Sequence, residues 1–412
     1  MSNTSAEPVP RALAEPLPDL VINGKFLQSS AHRSGVHRVA RELVKALDQV
    51  LEDNDALAAA LACRVAVPGR EDIGLRLVRI RVEHHPLAFV PPLTPRLGSV
   101  LWEQAMLPRI AGDRVLINLC NLGPVRHRNA FTMVHDAQVY TSPGSYSRPF
   151  LAWYRFVLPL LGRRNRALLT VSAYSKEQLD RFGVAPANRI HVIHNGCDHI
   201  LRLVPDPAAT QATGLAGAPY VLALANHQAH KNIQVLLEAF HAPALRSTTL
   251  ALFGPARRED FEQRGWRVPP NVRFLGPVSD ERLAGLLGRA VALAFPSLTE
   301  GFGLPPLEAM ALGCPTVVAP SGALPEICGD APLWAPAHDV DQWIRQLVRL
   351  RDEPGLRADV GRRGLKHALR FTWRKAALGL LEHVLGQPLI DSGLLGERNA
   401  PRAARADRST TA

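Results

Sequence analysis

Short apolar runs closed by Gly, Pro or Asn alternate along this chain with longer stretches whose apolar residues return every three or four positions. The runs Leu20 to Ile22, Cys63 to Val67, Leu75 to Val82, Val115 to Leu119, Ala130 to Val134 and Ala167 to Val171 read as strands buried on both faces. Arg189 to Ile193 is a further strand, ending in a turn at Asn195-Gly196. After the first of these, Val36, Val39, Ala40, Leu43, Val44 and Leu47 fall on one side of a helix, with Ser34 as its cap. Beyond residue 219 the alternation begins again, with strands at Val221 to Leu224, Thr249 to Phe253, Val272 to Leu275, Ala290 to Phe295 and Leu333 to Pro336. Helical spacing marks Ser145 to Leu161, Ile233 to Phe240, Val340 to Arg370 and Trp373 to Leu385. Strands separated by helices form parallel sheets, so the chain is α/β. At 412 residues it exceeds one core. The break falls at 205–219, a Pro-, Ala-, Gly- and Thr-rich linker between a first domain over 20–204 and a second over 220–371. Residues 1–19 read as a flexible start and 390–412 as a polar, Arg- and Ala-rich disordered tail.

One stretch, Pro296-Ser-Leu-Thr-Glu-Gly-Phe-Gly-Leu-Pro-Pro-Leu-Glu308, concentrates chemistry. It follows a buried strand and runs into a short helix whose first turn carries Pro305 and Pro306, where the fixed proline φ suits a helix start. Gly313 and Pro315 end that helix. The backbone amides of Gly301, Phe302 and Gly303 then lie near a positive helix end, the geometry that receives phosphate. Glu300 and Glu308 bracket this anion site, and sugar or ribose hydroxyls are the natural partners for carboxylates placed there. Gly301 and Gly303 form only G-x-G, with prolines in place of a third glycine, so a dinucleotide fingerprint does not fit.

Glu300 and Glu308, separated by seven residues that include Gly-Phe-Gly-Leu-Pro and followed by Gly313-Cys-Pro-Thr-Val-Val-Ala319, resemble the signature of glycosyltransferase family 4. The resemblance, which extends over Leu20 to Leu385, implies the GT-B arrangement of two Rossmann-like domains with a cleft between them, the first on the acceptor side and the second binding the nucleotide sugar. Residues 372–389 would cross back to the first domain. It also implies a retaining enzyme that uses nucleotide diphosphate sugars and needs neither metal nor cofactor. Glu300 would meet the transferred sugar, Glu308 the ribose hydroxyls, and the backbone from Gly301 to Leu304 the sugar and diphosphate. Gly35 resembles the first-domain glycine that faces the diphosphate, although Val36 stands where many members have a second glycine. His135, at a strand end, resembles the histidine that approaches the sugar and its 6-hydroxyl, with Asp136 orienting the imidazole or capping the next segment. Lys231 of Lys231-Asn232 resembles the lysine that binds diphosphate. Where members carry another basic residue a few positions earlier, this chain offers Asn226 or His227. Backbone at Val278 would receive the base. Trp102-Glu103-Gln104 resembles a segment of a subset of members in bacterial polysaccharide assembly, with no role attached to it.

Composition adds less. No apolar run reaches the ~18 residues that span a bilayer. The start has acids and prolines where a secretory signal has a basic and then an apolar segment. Cys63, Cys120, Cys197, Cys314 and Cys328 are scattered, which suits a reducing cytoplasm and no zinc site. Net charge is +11, mildly concentrated in the first half, and suits a phosphate-rich acceptor or the face of an inner membrane. No nucleic-acid-binding pattern accompanies the charge. Tyr146, Phe150, Trp153, Tyr154 and Phe156 beside Arg148 and Arg155 fit an amphipathic crossover helix, with a membrane-surface helix as the alternative. The expected function is therefore transfer of a hexose, mannose favoured, to a glycan or lipid-linked glycan acceptor in cell-surface polysaccharide synthesis. A GT-B epimerase and a non-catalytic nucleotide-sugar scaffold are the alternatives.

Overall fold

The computed structural model describes residues 17–28, 35–69, 74–85, 95–226 and 228–389. Ser34, His227, the start to residue 16 and the tail from residue 390 lie outside them. Two parallel sheets carry the chain. The first holds β1 (Leu20–Asn23), β2 (Cys63–Pro68), β3 (Arg81–His85), β4 (Val115–Asn118), β5 (Ala130–Met133), β6 (Ala167–Thr170) and β7 (Ile190–Val192), in the order β3-β2-β1-β4-β5-β6-β7. The second holds β8 (Tyr220–Leu224), β9 (Thr249–Phe253), β10 (Val272–Gly276), β11 (Ala292–Phe295), β12 (Thr316–Val318) and β13 (Leu333–Trp334), in the order β10-β9-β8-β11-β12-β13. Every pairing of these strands is parallel, and each order reverses once, between β1 and β4 and between β8 and β11. Side chains and loops past the carboxyl ends of strands at such a reversal enclose a crevice, which is where open α/β sheets take ligands.

Three expected elements differ. Leu75 to Val82 was expected as one strand, but only Arg81–His85 pairs, against β2. The reason is local. The Asp48 carboxylate accepts the backbone N–H groups of Val78, Arg79 and Ile80 at 2.7, 2.8 and 2.7 Å, so those amides are taken by a helix side chain. Val340 to Arg370 divides into helices Val340–Asp352 and Pro354–Ala368, because Pro354 cannot continue the first and opens the second. The Pro-rich stretch 205–219 is packed, with a short helix Ala209–Ala212 whose Ala209 joins the core around Leu286 and Leu287.

The terminal helix Trp373–Leu385 shares a core with the first-domain helix Gly35–Glu52, through Ala377, Leu380 and Leu381 against a cluster containing Leu43 and Leu47. Its start is tied to the end of the first sheet's segment. Trp373 donates its backbone N–H to Asp198 at 2.7 Å, and Cys197 donates to the Phe371 carbonyl at 3.0 Å. Gly196 is required there, since a Cβ would overlap the backbone nitrogen of Trp373.

Candidate functional site

Beyond β11 the chain forms the loop Pro296 to Gly303 and then the helix Leu304–Ala311, capped by Gly303 at φ 99°. That left-handed conformation favours glycine, and a Cβ would also lie 2.5 Å from Leu324 Cδ2. Gly301 answers a different demand. A Cβ there would stand 2.5 Å from the His135 carbonyl oxygen and 2.8 Å from Asp136 Cβ, so the first domain touches the loop at this residue. Ser172 donates to the Gly301 carbonyl at 2.6 Å, and Ser175 lies 3.1 Å from it and 3.0 Å from the His135 carbonyl. Phe302 turns its buried ring away from the loop, edge-on to Phe371 and tilted against His194. Leu304 is half-buried against the same core.

The second loop at the reversal follows β8. Asn232 adopts φ 52° and donates to the carbonyls of Pro296 and Ala337 at 3.1 and 2.7 Å, while Leu298 donates its N–H to the His230 carbonyl at 2.7 Å. These bonds lock the two loops together and deliver Lys231 Nζ to Glu300 Oε1 at 2.7 Å, both side chains more than four-fifths buried. Asn226 is bound up in its own turn, accepting from the Gln228 N–H at 2.9 Å. Val278 packs half-buried against the core around Phe253 and Leu286, just before Ser279 caps the helix Asp280–Leu287.

Glu308, one turn into its helix, is 7% exposed at the side chain and faces the first domain. His199 Nε2 lies 3.0 Å from Glu308 Oε1, and Trp373 Nε1 donates to His199 Nδ1 at 3.0 Å. An indole N–H only donates, so His199 is held as the Nε2–H tautomer and donates to Glu308. Arg38, from the first turn of the helix Gly35–Glu52, reaches Glu308 at 3.3 Å and Asp280 at 2.5 Å. Burial alone would raise the Glu308 carboxyl; the His199 hydrogen bond and the Arg38 charge outweigh it and hold the group below the usual carboxylate range. Gly35 itself is exposed, with open space where a Cβ would be.

His135 is 5% exposed. Its Nε2 lies 2.8 Å from the Leu119 carbonyl, which can only accept, so Nε2 carries the proton and Nδ1 keeps a lone pair. Burial, aided by His37, lowers its pKa to about 4, and the ring is neutral near pH 7. Leu119, not Asp136, therefore orients the imidazole. Asp136 is the cap, accepting from the Gln138 N–H at 2.9 Å.

The structure thus brings Lys231, Glu300, Gly301 and the backbone of His135 into one place, and sets Glu308 behind them against Arg38 and His199. Sequence reasoning missed Arg38, His199 and Asp280. Arg38 occupies an ordinary polar position of an amphipathic helix, and nothing in its spacing announces a partner 270 residues away. Glu326 was missed as well; it accepts the backbone N–H groups of Ala173 and Tyr174 at 2.8 and 3.1 Å, and His194 Nε2 lies 2.9 Å from it, another tie between the sheets. Among the described residues no helix is long and apolar enough to cross a membrane.

The chain resembles known proteins in sequence and in fold. Residues 33–200 match the family described as Glycosyltransferase Family 4, and residues 218–353 match Glycosyl transferases group 1. O-antigen chain mannosyltransferase B of Escherichia coli is 33% identical over 264 residues, 61% of this chain and 68% of that protein. The MMP alpha-(1->4)-mannosyltransferase of Mycolicibacterium hassiacum is 34% identical over 234 residues, 55% of this chain and 56% of that protein. The D-inositol 3-phosphate glycosyltransferase of Saccharomonospora viridis is 33% identical over 225 residues, and the match spans 50% of this chain and 52% of that relative. HepE of Anabaena, solved with UDP and glucose, superposes with a TM-score of 0.65 at 18% identity over 89% of this chain and 99% of its own. WaaG, a glycosyltransferase involved in lipopolysaccharide biosynthesis, does so with a TM-score of 0.63 at 14% identity, again over 89% and 99%. The fold is the two-domain GT-B arrangement, and the chain belongs to glycosyltransferase family 4, with a group 1 glycosyltransferase domain as its second half.

Proposed function

We propose that this glycosyltransferase moves a hexose, mannose favoured, from a nucleotide diphosphate sugar to a glycan or lipid-linked glycan acceptor of a cell-surface polysaccharide, with retention at the anomeric carbon. The observation that carries the reading is the Lys231–Glu300 pair, 2.7 Å apart at the carboxyl-end reversal of the second sheet, beside a helix start and against His135. An ammonium and a carboxylate so placed serve the two halves of a donor. Lys231, with the loop amides and the helix end, takes the departing diphosphate, and Glu300 takes the sugar. Glu308 takes the ribose hydroxyls, a task its ionised state suits. The neutral His135, with its lone pair on Nδ1, accepts from a sugar hydroxyl. The preference for mannose and for a polysaccharide acceptor rests on the E. coli O-antigen and Mycolicibacterium relatives.

Purified protein incubated with GDP-mannose, UDP-glucose and related donors, plus lipid extracts as acceptors, should yield a product one hexose heavier by mass spectrometry. Excess EDTA should leave the rate unchanged. Consumption of a donor with no mass gain on any acceptor would sink the transferase reading in favour of an epimerase or hydrolase. Loss of turnover on chelation, restored by magnesium or manganese, would sink the metal-free route.

A further inference from the structure

The Glu308 carboxylate is held by one oxygen. His199 Nε2 donates to Oε1 at 3.0 Å and Arg38 Nη1 reaches the same atom at 3.3 Å, while among the described residues no side chain bonds Oε2. Leaving one oxygen of a buried carboxylate unpaired costs free energy unless a ligand supplies the missing donor.

The two donors on Oε1 are not equivalent. The Arg38 guanidinium is divided between Glu308 and Asp280, and about a third of its side chain is exposed. The His199 side chain is as buried as that of Glu308, at 7% exposed each. The Trp373 indole donates to His199 Nδ1 at 3.0 Å, so the one proton of the neutral ring is on Nε2 and goes to Glu308. Arg38 Nη1 also stands 3.5 Å from Nε2, which has no lone pair left to receive it.

Trp373 is in turn fixed through both of its donors. Its backbone N–H goes to Asp198 and its indole N–H to His199, neighbours in the short helical turn Asp198–Arg202. The indole is fully buried and tilted against the imidazole, with 5.9 Å between ring centroids. One line of donation therefore runs from the helix Trp373–Leu385 through the imidazole to Glu308, on the helix Leu304–Ala311 of the second domain. The last torsion of a glutamate is broad when nothing holds it. A bond to Oε1 from a ring that cannot turn stops that rotation, and Oε2 keeps one place with its lone pairs uncommitted.

Resting on the ribose role given to Glu308 above, we propose that His199 is a positioning residue for ribose recognition. It turns the Glu308 carboxylate so that Oε2 receives the vicinal hydroxyls of a nucleoside diphosphate, and Trp373 keeps the imidazole in the tautomer that does so. A vicinal diol brings two donors to an oxygen with free lone pairs. A nucleotide without these hydroxyls leaves Oε2 unpaired, so the same device selects against it.

The test is calorimetry on the full chain. GDP and UDP are titrated first, then the 2′,3′-dideoxy counterpart of the tighter binder, and the ratio of the two affinities reads the diol. The wild type should prefer the ribonucleotide by roughly tenfold or more. His199→Ala should reduce that ratio roughly fivefold, with affinity for the dideoxy compound within about twofold of the wild type. His199→Gln, whose amide can still donate to Oε1, should restore most of the ratio. Trp373→Phe, which frees the tautomer, should reduce it by a smaller factor. In a Glu308→Gln background His199→Ala should change it no further.

An unchanged ratio in His199→Ala overturns the proposal. Equal loss of affinity for both nucleotides does so too, as the mark of a residue that only holds the domains together. No rescue by His199→Gln, an unchanged ratio in Trp373→Phe, or a further change in the Glu308→Gln background counts against it in the same way. A wild type that binds the two nucleotides alike, or binds neither, would instead overturn the placement of Glu308 on the ribose.

Discussion

Across the first sheet a directed chain of hydrogen bonds crosses the interior: Asn23 donates to Glu103 and to Asn118 at 3.0 Å each, Asn118 to Thr132 at 3.0 Å, Thr132 to Asn165 at 2.6 Å, and Asn165 to the His127 carbonyl at 3.4 Å. The matching strands of the second sheet are apolar almost throughout, Tyr-Val-Leu-Ala-Leu in β8 and Ala-Leu-Ala-Phe in β11, and their polar groups stand in the loops beyond. Over six strands both sheets have the same order and the same reversal, the first adding β7 at its edge. What differs is where the polar groups begin. In the second domain the site is mounted on an oil-like core and can be altered without touching it. In the first domain the Glu103 carboxylate at the reversal is the end of a chain buried among the strands, so a change there reaches into the core.

The largest expected effect tests the first half of that contrast. Lys231→Ala should slow transfer by roughly a hundred- to a thousandfold, the usual loss when a preorganised charge-stabilising group is removed. The ammonium also partners the buried Glu300 carboxylate, so this single variant should lose some melting temperature, and Lys231→Met combined with Glu300→Gln should recover it, because both residues lie beyond the strand ends. A double variant that still melts well below the wild type would show that the second domain also ties its site to its core.

His135→Ala comes next, at about a hundredfold in turnover. On the function proposed above the second domain holds the donor and the imidazole acts on it from the first domain, whose His135 carbonyl meets Gly301. Its removal should lower turnover more than affinity, with nucleoside diphosphate binding near normal. A transfer assay beside calorimetry decides; normal transfer by a well-folded variant removes His135 from the chemistry.

Glu308→Gln weakens a charge-assisted contact worth about 1.5–3 kcal/mol and should lower nucleotide affinity roughly tenfold or more. Unchanged calorimetric affinity would free Glu308 from the ribose and leave it as the partner of Arg38 and His199 alone.

The core of the first sheet gives the matching stability test. Asn118→Ala leaves the Asn23 amide and the Thr132 hydroxyl short of a partner inside the sheet, and should cost about 1–3 kcal/mol by urea unfolding. Gly123 lies directly against the Asn118 amide, with no room for a Cβ, which limits how the site can relax. Stability within error of the wild type would show that the polar chain does not hold the first domain.

Period and punctuation made the strands legible, because a strand buried on both faces must be a short apolar run. The loop after β11 was legible because two glutamates, two glycines and two prolines at fixed spacing each have a separate reason to be there. The polar chain was not, because Asn23, Asn118 and Thr132 lie at the ends or inside of apolar runs and look like ordinary turn residues or strand breakers. Nor was the false strand at Leu75 visible, since the carboxylate that captures its amides belongs to Asp48, about thirty residues earlier. Arg38 and His199 have meaning only once the two domains face each other.

The smallest expected effect concerns acid, and it samples the contact between the domains. His135 and His230 both have pKa values lowered to about 4, His135 by burial, His230 by burial and then the neighbouring Lys231. Ser145 Oγ of the first domain lies 2.9 Å from His230 Nδ1. In the unfolded chain both rings take up a proton near 6.5, so between about 6.5 and 4 the unfolded state binds more protons than the folded one. Stability is then full above pH 6.5 and declines as the pH falls through that window. Glu308, held low, adds its own loss only below the ordinary carboxylate range. Melting temperature should therefore begin to drop before the carboxylates titrate. His230→Gln, which keeps an acceptor for Ser145 but cannot titrate, should flatten the slope between pH 6.5 and 5 by its own share, leaving those of His135 and of His85, His191 and His383, whose pKa values burial also lowers. An unchanged slope would mean that His230 takes up its proton without loss of the contact, and that the join between the two domains is more open to water than the buried ring implies.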